Sequence, residues 1–308
     1  MHLLPPRQPS KRCILQVGVH TGEVIVLREV LFGPAGYPDS ARGSLKRVFE
    51  ILVDAGATAL EYAAVHGLQA SEDKAKQIGD LARQSGIVMS MHEAYYINLA
   101  SRDPRIRERS KQRLVHALRF SPLMNVKRIV FHPGTQGGMN ETEAHIVVRD
   151  ALRGVWEEAG QSGRGIFLAP EIAGKIVMYG SIDQIIALCH DVEECIPTID
   201  WAHLYARSQG KINDRESYQR ILAQFERELG SLFVDNMHFH ISGITFTEKG
   251  EVSHQPCGEE WGPDLHPLME IVHELGYKPT FICESPNPLQ GALFAKFLFE
   301  QIEMGRNE

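Results

Sequence analysis

From about residue 44 to the C-terminus, short apolar segments alternate regularly with amphipathic helical segments. Such alternation is typical of βα units, in which a helix follows and covers each strand of a parallel sheet. Seven strands are predicted after residue 55, at 59–65, 87–92, 126–132, 165–171, 195–200, 237–242 and 279–284. The 308-residue length fits one barrel, since a (β/α)₈ barrel takes about 250 residues and tolerates insertions. The sequence therefore predicts an α/β protein with a (β/α)₈ TIM-barrel fold.

Capping residues mark the helices between these strands. A helix over 44–54 is predicted to end at Gly56, and Ser71 is placed as the N-cap of a helix that runs to Ser85. The remaining helices are predicted at 104–121, 141–159, 181–190, 214–229, 263–275 and 288–303.

The eighth strand must come from the N-terminal part of the chain. Residues 24–32 are favoured, because Gly33 and the turn-rich segment 34–38 follow them. Residues 13–19 are also strand-like, and the two segments could form a hairpin through Thr21-Gly22 at the bottom or edge of the barrel. The pattern does not decide which of the two enters the barrel.

Composition favours a cytoplasmic protein with one ordinary core. The five cysteines, which form no CxxC pair, indicate a reducing compartment and buried thiols. No apolar run reaches the roughly 20 residues of a membrane span, so no membrane partner is expected. Residues 1–12 are predicted to be a disordered or edge tail, and 13–308 a single barrel domain. We expect a monomer.

The net charge of −7 argues mildly against nucleic-acid binding, because phosphate contacts need positive charge. Two features weaken that argument. Bound divalent metals would add positive charge where a phosphate sits. A basic segment also spans 102–119, although most of its charges are interpreted as a solvated helix face. Net charge therefore excludes little.

Six successive predicted strands each end on a residue that can bind a metal. These residues are His92, His132, Glu171, Asp200, His240 and Glu284, and His203 follows three residues after Asp200. Barrel active sites lie at the C-terminal ends of the strands, and imidazole and carboxylate suit zinc, manganese and iron. One such residue alone is usually a cap or a surface group. Six at one face, buried without a metal, would be very unfavourable, so the pattern predicts a metal site.

The number of candidate ligands exceeds the needs of one ion, since a catalytic zinc takes about three protein ligands and a water. The six strand-end residues and His203 make seven candidate ligands, and His254 would make an eighth. Paired metals clamp the attacking and leaving oxygens of a phosphodiester. Glu171, on a central strand, is the candidate for the carboxylate that bridges them. Six other histidines lie on helices or polar loops and are interpreted as surface groups, namely His66, His116, His145, His190, His266 and His273.

From about Gly33 onward the motifs resemble endonuclease IV, the apurinic/apyrimidinic endonuclease family. The matching motifs are MHEAYYINL at 91–99, FHPG at 131–134, PEIAG at 170–174, IDWAH at 199–203, FHIS at 239–242 and CESPN at 283–287. Together they are highly specific, whereas any one alone would be weak. The segment GPAGYP at 33–38 is similar to an archaeal-type branch of that family.

The resemblance implies three zinc ions, with two ions or manganese as variants. The first ion would lie on His92 and His132, with Glu171 bridging to the second. The ligands that would complete the second ion are Asp200, His240 and Glu284.

The third ion would take His203 together with a His and an Asp from the loop after the seventh strand. His254 matches that His, but Val252 stands where the family has its Asp. Glu251 could substitute only with a shifted backbone, because neighbouring residues of an extended segment point to opposite sides. We therefore expect the third ion to be bound more weakly than the other two.

The resemblance also implies that the protein nicks DNA on the 5′ side of abasic sites in base excision repair, with Glu171 and Glu284 as the catalytic carboxylates. The abasic nucleotide would swing out of the helix, which is easiest where no base stacks. Tyr95 and Tyr96, just past His92, could pack on sugar or bases. Packing in the core or rim explains them equally well.

Sugar isomerases and epimerases of the same barrel superfamily are the main alternative. They are similar to this chain at Glu171, Asp200, His240 and Glu284, which would form a site for one metal. The additional histidines favour the nuclease, and they are His92, His132, His203 and His254. A binding barrel without catalysis is a third alternative, which the nearly full ligand set disfavours.

Overall fold

The alternation of apolar and amphipathic segments produces a ring of parallel strands in a computed structural model that describes residues 29–258 and 260–305. The strands within these residues are β1 (Leu31–Pro34), β2 (Ala59–Ala63), β3 (Val88–His92), β4 (Val126–Phe131), β5 (Phe167–Pro170), β6 (Ile199–Asp200), β7 (His238–Ile241), β8 (Gly243–Thr247), β9 (Gly250–Gln255) and β10 (Thr280–Cys283). All except β8 and β9 belong to the ring. The seven strands predicted after residue 55 are confirmed.

Hydrogen bonding closes the ring from two halves. One half has the strand order β1-β10-β7-β6 and the other has β2-β3-β4-β5, with every pairing parallel. Single bridges join the halves, from Ala35 to Glu61 on one side and from Glu171 to Thr198 on the other. The predicted (β/α)₈ barrel is therefore confirmed.

Helices surround the ring, and several of them begin at the expected caps. They are α1 (Leu45–Ala55), α2 (Glu72–Ser85), α3 (Pro104–Phe120), α4 (Glu141–Ala159), α5 (Ile182–Asp191), α6 (Trp201–Arg207), α7 (Arg215–Leu229), α8 (Ser231–Val234), α9 (His266–Glu274) and α10 (Pro288–Gly305). Ser44 and Ser71 each accept a hydrogen bond from the helix they cap, and Gly56 ends α1 in the left-handed conformation. These capping predictions are confirmed.

Side chains alternate along each strand, which separates an apolar outer layer from a polar barrel interior. Phe32, Phe239 and Phe281 point outward and stack in the helix-covered core, with ring centroids 5.2 Å apart for Phe32 and Phe281. His238 and His240, on the opposite side of β7, point inward. The barrel interior thus holds the polar residues that carry chemistry.

The first strand differs from its prediction. It spans Leu31–Pro34 rather than 24–32, and residues 24–28 lie outside the described part of the chain. Gly33, expected to follow the strand, and Pro34, expected in the turn-rich segment, both lie inside it. A Cβ added at Gly33 would come within 1.9 Å of the Ala59 carbonyl oxygen. Only glycine allows this close approach of β1 to β2.

The other N-terminal expectations also lie outside the described residues. These are the tail at 1–12, the strand-like segment 13–19 and the hairpin turn at Thr21-Gly22. The single-domain assignment of 13–308 therefore stays a prediction.

Four elements were not expected from the βα alternation. Helix α6 begins directly after β6, the short α8 follows α7, and β8 and β9 form an antiparallel hairpin after β7. The stretch 251–259 was expected to be a loop, but most of it belongs to β9. The residues of β9 are mostly polar and give no alternating apolar side. Because a strand is predicted from that apolar alternation, the hairpin was not predicted.

Candidate metal centre

The C-terminal ends of six barrel strands bring their predicted side chains together. We call these residues the inner cluster, and they are His92, His132, Glu171, Asp200, His240 and Glu284. Groups of three or four candidate ligand atoms lie within 4.8 Å of one another, the largest being Glu171, Asp200, His240 and Glu284. The structure thus places all six on the same face of the barrel, although their roles as ligands stay predictions.

Glu171 lies at the centre of the inner cluster and is fully buried. Its Oε2 is 2.9 Å from Nε2 of His92 and 3.4 Å from Nε2 of His132. Its Oε1 is 3.2 Å from Nδ1 of His240 and 3.2 Å from Nδ1 of His203. Oε2 therefore faces His92 and His132, while Oε1 faces His240 and the rim residue His203, so the carboxylate lies between separate groups of candidate ligands.

His203, Glu251 and His254 form a second group at the mouth of the barrel, which we call the rim cluster. Nδ1 of His203 lies 2.9 Å from the Ile172 carbonyl oxygen, which leaves Nε2 facing Oε2 of Glu251 at 3.4 Å. The rings of His203 and His254 have centroids 5.4 Å apart. The rim cluster thus offers two imidazoles and one carboxylate.

A β-bulge brings Glu251 into the rim cluster. In the hairpin His254 pairs with Ile244 and Ser253 with Thr245, but the next pair joins Glu251 to Phe246. Val252 is therefore the extra residue, and Glu251 lies on the same side of the hairpin as His254. The shifted backbone that a carboxylate one residue earlier requires is present.

Gly174 makes room for this arrangement. A Cβ at this position would lie 2.8 Å from Oε2 of Glu251 and 2.8 Å from Cδ2 of His203. Larger side chains would push the two candidate ligands apart.

Several buried polar atoms at the centre lack hydrogen-bond partners among the described residues. They include Oδ2 of Asp200, Nε2 of His203 and Nδ1 of His132. Leaving such groups unpaired costs about 1–3 kcal/mol each. Because imidazole nitrogens and carboxylate oxygens are the ligands that zinc uses, the residues present fit divalent metal ions.

The electrostatics show an excess of carboxylate charge. Burial alone would lower the pKa of His240, but Glu61, Glu284 and Glu171 raise it well above its usual value. Burial likewise opposes protonation of His92, but Glu171 raises its pKa to about 9. Without metal, protons balance the carboxylates, and metal binding would displace those protons.

Glu61 and His238, which the sequence analysis missed, lie directly beneath the centre. Oε1 of Glu61 is 3.0 Å from Nε2 of His240, while its Oε2 accepts a 2.8 Å hydrogen bond from Ser90 Oγ and lies 3.0 Å from Nε2 of His238. Glu61 therefore contacts the ring nitrogen of His240 that points away from Glu171. Signals were present, since a charged residue interrupts the apolar run of β2 and His238 precedes His240 by two residues.

Tyr95 and Tyr96 lie on the rim, outside the core. Tyr95 is 67% exposed, and the two rings are 5.3 Å apart at their centroids. Of the two packing alternatives, core or rim, the exposure of these rings fits the rim. Their contact with a substrate stays a prediction.

A family model described as xylose isomerase-like TIM barrel matches residues 49–297. The chain belongs to this family. Within the family, an uncharacterized protein of Methanocaldococcus jannaschii is 31% identical over 258 residues, which cover 83% of this chain and 92% of that protein. A probable endonuclease 4 of Persephonella marina is 24% identical over 229 residues, covering 71% of this chain and 79% of that protein. The resemblance to endonuclease IV is confirmed, and the archaeal relative fits the archaeal-type branch.

Several solved structures superpose on most of the chain. Endonuclease IV from Thermus thermophilus has a TM-score of 0.69 at 18% identity, covering 89% of this chain and 99% of that one. A D-tagatose 3-epimerase-like protein has a TM-score of 0.67 at 18% identity, covering 90% and 98%. At these identities the likeness shows the fold.

None of the helices formed by residues 29–258 and 260–305 is both long and apolar enough to cross a bilayer.

Proposed function

We propose that this protein is a metal-dependent phosphodiesterase that nicks DNA on the 5′ side of abasic sites and uses two or three zinc ions. The observation that carries the proposal is Glu171, whose two oxygens each face a separate pair of imidazoles. A carboxylate in that position can bridge two cations, as a two-metal phosphodiesterase needs. The likeness to endonuclease 4 proteins supports the same assignment.

The candidate ligands would be divided among the ions according to their position in the barrel. His92 and His132 would hold one ion and share Glu171 with the second. Asp200, His240 and Glu284 would complete the second ion, and the rim cluster would hold a third. Two divalent ions about 3.5–4 Å apart would lower the pKa of a water and neutralise charge on the phosphate oxygens.

Glu284 is the carboxylate best placed to orient the attacking water. It is 18% exposed at its side chain and lines the open pocket, whereas Glu171 and Asp200 are fully buried. Its Oε1 lies 3.6 Å from Nδ1 of His240 and its Oε2 lies 3.9 Å from Nδ1 of His254. Glu284 would orient the water, while Glu171 would hold the two cations together.

Tyr95 would contact DNA at the edge of the pocket. It lines the same cavity as His92, His132 and Glu284, which has a volume of about 340 Å³. A large exposed aromatic can pack on the sugar of an abasic nucleotide that swings out, or stack on a neighbouring base. We therefore assign Tyr95, with its neighbour Tyr96, to the substrate-binding rim.

A sugar epimerase is the second candidate, and one observation favours it. Glu171, Asp200, His240 and Glu284 alone form a compact four-residue group. One ion and two carboxylates at such a group could move a proton on a sugar. The rim cluster, together with His92 and His132, would then have no role.

Metal counting separates the two candidates. Purified protein is analysed for zinc and manganese per chain and assayed in parallel on a duplex with one abasic site and on ketohexoses. Two or three ions with nicking at the abasic site support the nuclease. One ion with epimerisation and intact DNA would establish the alternative.

A further inference from the structure

A second cavity lies beside the metal pocket and has a volume of about 320 Å³. Its polar lining comes from the segment after β2 and from α3, and comprises His66, Gln69, Glu93, Arg109, Gln112, Arg113 and His116. Glu93 also lines the metal pocket, and it directly follows His92. The two cavities are therefore neighbours on the same face of the barrel.

Arg109 and Arg113 bring two positive charges to this cavity, and the buried Glu93 carboxyl in the same lining interacts electrostatically with Arg113 without forming an ion pair with it. Within the described residues, neither guanidinium forms an ion pair, and their hydrogen bonds go to the carbonyl oxygens of Arg105 and Arg109. Arg105, on the same helix, is instead paired with Asp103 at 3.2 Å. In a chain of net charge −7, two unpaired arginines one helical turn apart are available to an anion.

Tyr96 holds one of these guanidinium groups in place. Cζ of Arg113 lies 4.4 Å from the centroid of the Tyr96 ring. A guanidinium that stacks on an aromatic ring keeps its in-plane N–H groups free for hydrogen bonds to an oxyanion. The ring of Tyr95 continues the row toward His66, with centroids 6.2 Å apart.

A phosphate ester is the anion that fits this lining best. Arginine matches phosphate oxygens bidentately, and the cavity begins one residue from a candidate ligand of the metal that would hold the reacting phosphate. We propose that this cavity binds a second phosphate of the same DNA strand, at a nucleotide next to the one that is cleaved. The inference rests on the proposed function, and it gives His66, Arg109, Arg113 and His116 a role in positioning the strand.

The first test compares two arginines of α3. Arg113→Gln removes a cavity charge, and Arg105→Gln removes an exposed charge outside the cavity. Binding is measured on the nicked product duplex, which cannot be cut again, over a range of salt concentrations. For Arg113→Gln we expect the slope of log affinity against log salt to fall by about 0.9, as for one lost phosphate contact. KM for abasic DNA should rise by about 10-fold with kcat unchanged, whereas Arg105→Gln should match the wild type.

The second test locates the phosphate. Each phosphate that flanks the abasic site is replaced singly by a neutral methylphosphonate. One position should weaken binding to the wild type by about 10-fold and leave binding to Arg113→Gln unchanged. Equal salt slopes in all three proteins, or no position with this pattern, would overturn the proposal.

These experiments distinguish an error in the proposed nicking reaction from an error in the proposed phosphate site. Suppose that the wild type does not nick abasic DNA, but that one methylphosphonate position still weakens its binding and not that of Arg113→Gln. The proposed reaction is then wrong, and the phosphate site is supported. If nicking is normal and the three proteins bind alike, the phosphate site is wrong. Arg113-dependent binding of a hexose phosphate without Arg113-dependent DNA binding would assign the cavity to a sugar phosphate and overturn the DNA assignment.

Discussion

The inner cluster and the rim cluster face one pocket but are held by different kinds of backbone. Residues of the inner cluster lie at the ends of parallel strands, where neighbouring strands on both sides fix each position. Glu251 and His254 of the rim cluster lie on a two-stranded hairpin, and their side chains are 20% and 23% exposed. A two-stranded hairpin that packs on α6 and on the loops at 174–176 and 261–262 can shift more easily than a barrel strand, which has a hydrogen-bonded neighbour on each side. We therefore expect the inner cluster to bind metal ions more tightly than the rim cluster does.

Replacement of the bridging residue gives the largest expected effect. Glu171→Gln should remove the inner metals and lower activity by on the order of 1,000-fold, because a neutral amide is a poor bridge between two cations. Metal content is counted by elemental analysis, together with the rate of nicking. Glu193→Gln, an exposed substitution of the same kind, is the control. Full metal content with normal cleavage in Glu171→Gln would show that Glu171 does not bridge.

A change beneath the inner cluster should have an intermediate effect. Glu61→Gln keeps the shape of the side chain but removes the charge beside Nε2 of His240. Since such partners orient a metal-binding imidazole, metal affinity should fall by about 10- to 100-fold. Competition with a chelator of known affinity measures this directly.

Ser90→Ala is the companion to that experiment. It removes one hydrogen bond to Glu61 and leaves the charge in place, so its effect on metal affinity should be smaller. Equal metal affinity in Glu61→Gln and the wild type would mean that Glu61 serves only the packing of the barrel interior.

The rim cluster gives the smallest expected effect. Glu251→Ala should loosen one ion and leave the ions held by the inner cluster, because Glu251 faces only His203. Stepwise chelation followed by metal counting should remove this ion first. Val252→Asp restores the residue expected at this position in endonuclease IV, yet it should change metal affinity by less than about 2-fold, since Val252 is 57% exposed on the bulge.

Two results would contradict this difference between the clusters. The first is loss of all ions in one step from Glu251→Ala. The second is a rim ion that Glu251→Ala holds as tightly as the wild type does.

The sequence alone predicts the inner cluster because barrel geometry fixes where strand ends meet. His92, Glu171 and Glu284 each end an apolar run, and the C-terminal ends of all barrel strands share one face. Nothing beyond the strand pattern was needed to bring them together. The motifs that resemble endonuclease IV then assigned the ions.

Glu61 and His238 could not be paired from the sequence. They are separated by 177 positions, and their contact crosses the interior of the barrel. Strand periodicity gives the side to which each points but not its partner across the ring. The hairpin escaped prediction for a different reason, since its polar strands lack the apolar face that marks a buried strand.

The bulge at Val252 has a consequence for how this chain is compared with its relatives. If Val252 is treated as a one-residue insertion, the remaining sequence reads Glu-Ser-His, with a carboxylate two residues before the imidazole. The hairpin accommodates the additional residue as a β-bulge. The carboxylate of Glu251 therefore lies on the same side of the hairpin as His254, although it is three residues before His254 in the sequence. A column-by-column alignment without a gap would record a lost carboxylate, whereas the backbone shows a displaced one. A one-residue insertion of this kind can change the sequence position of a carboxylate without removing the carboxylate from the cluster.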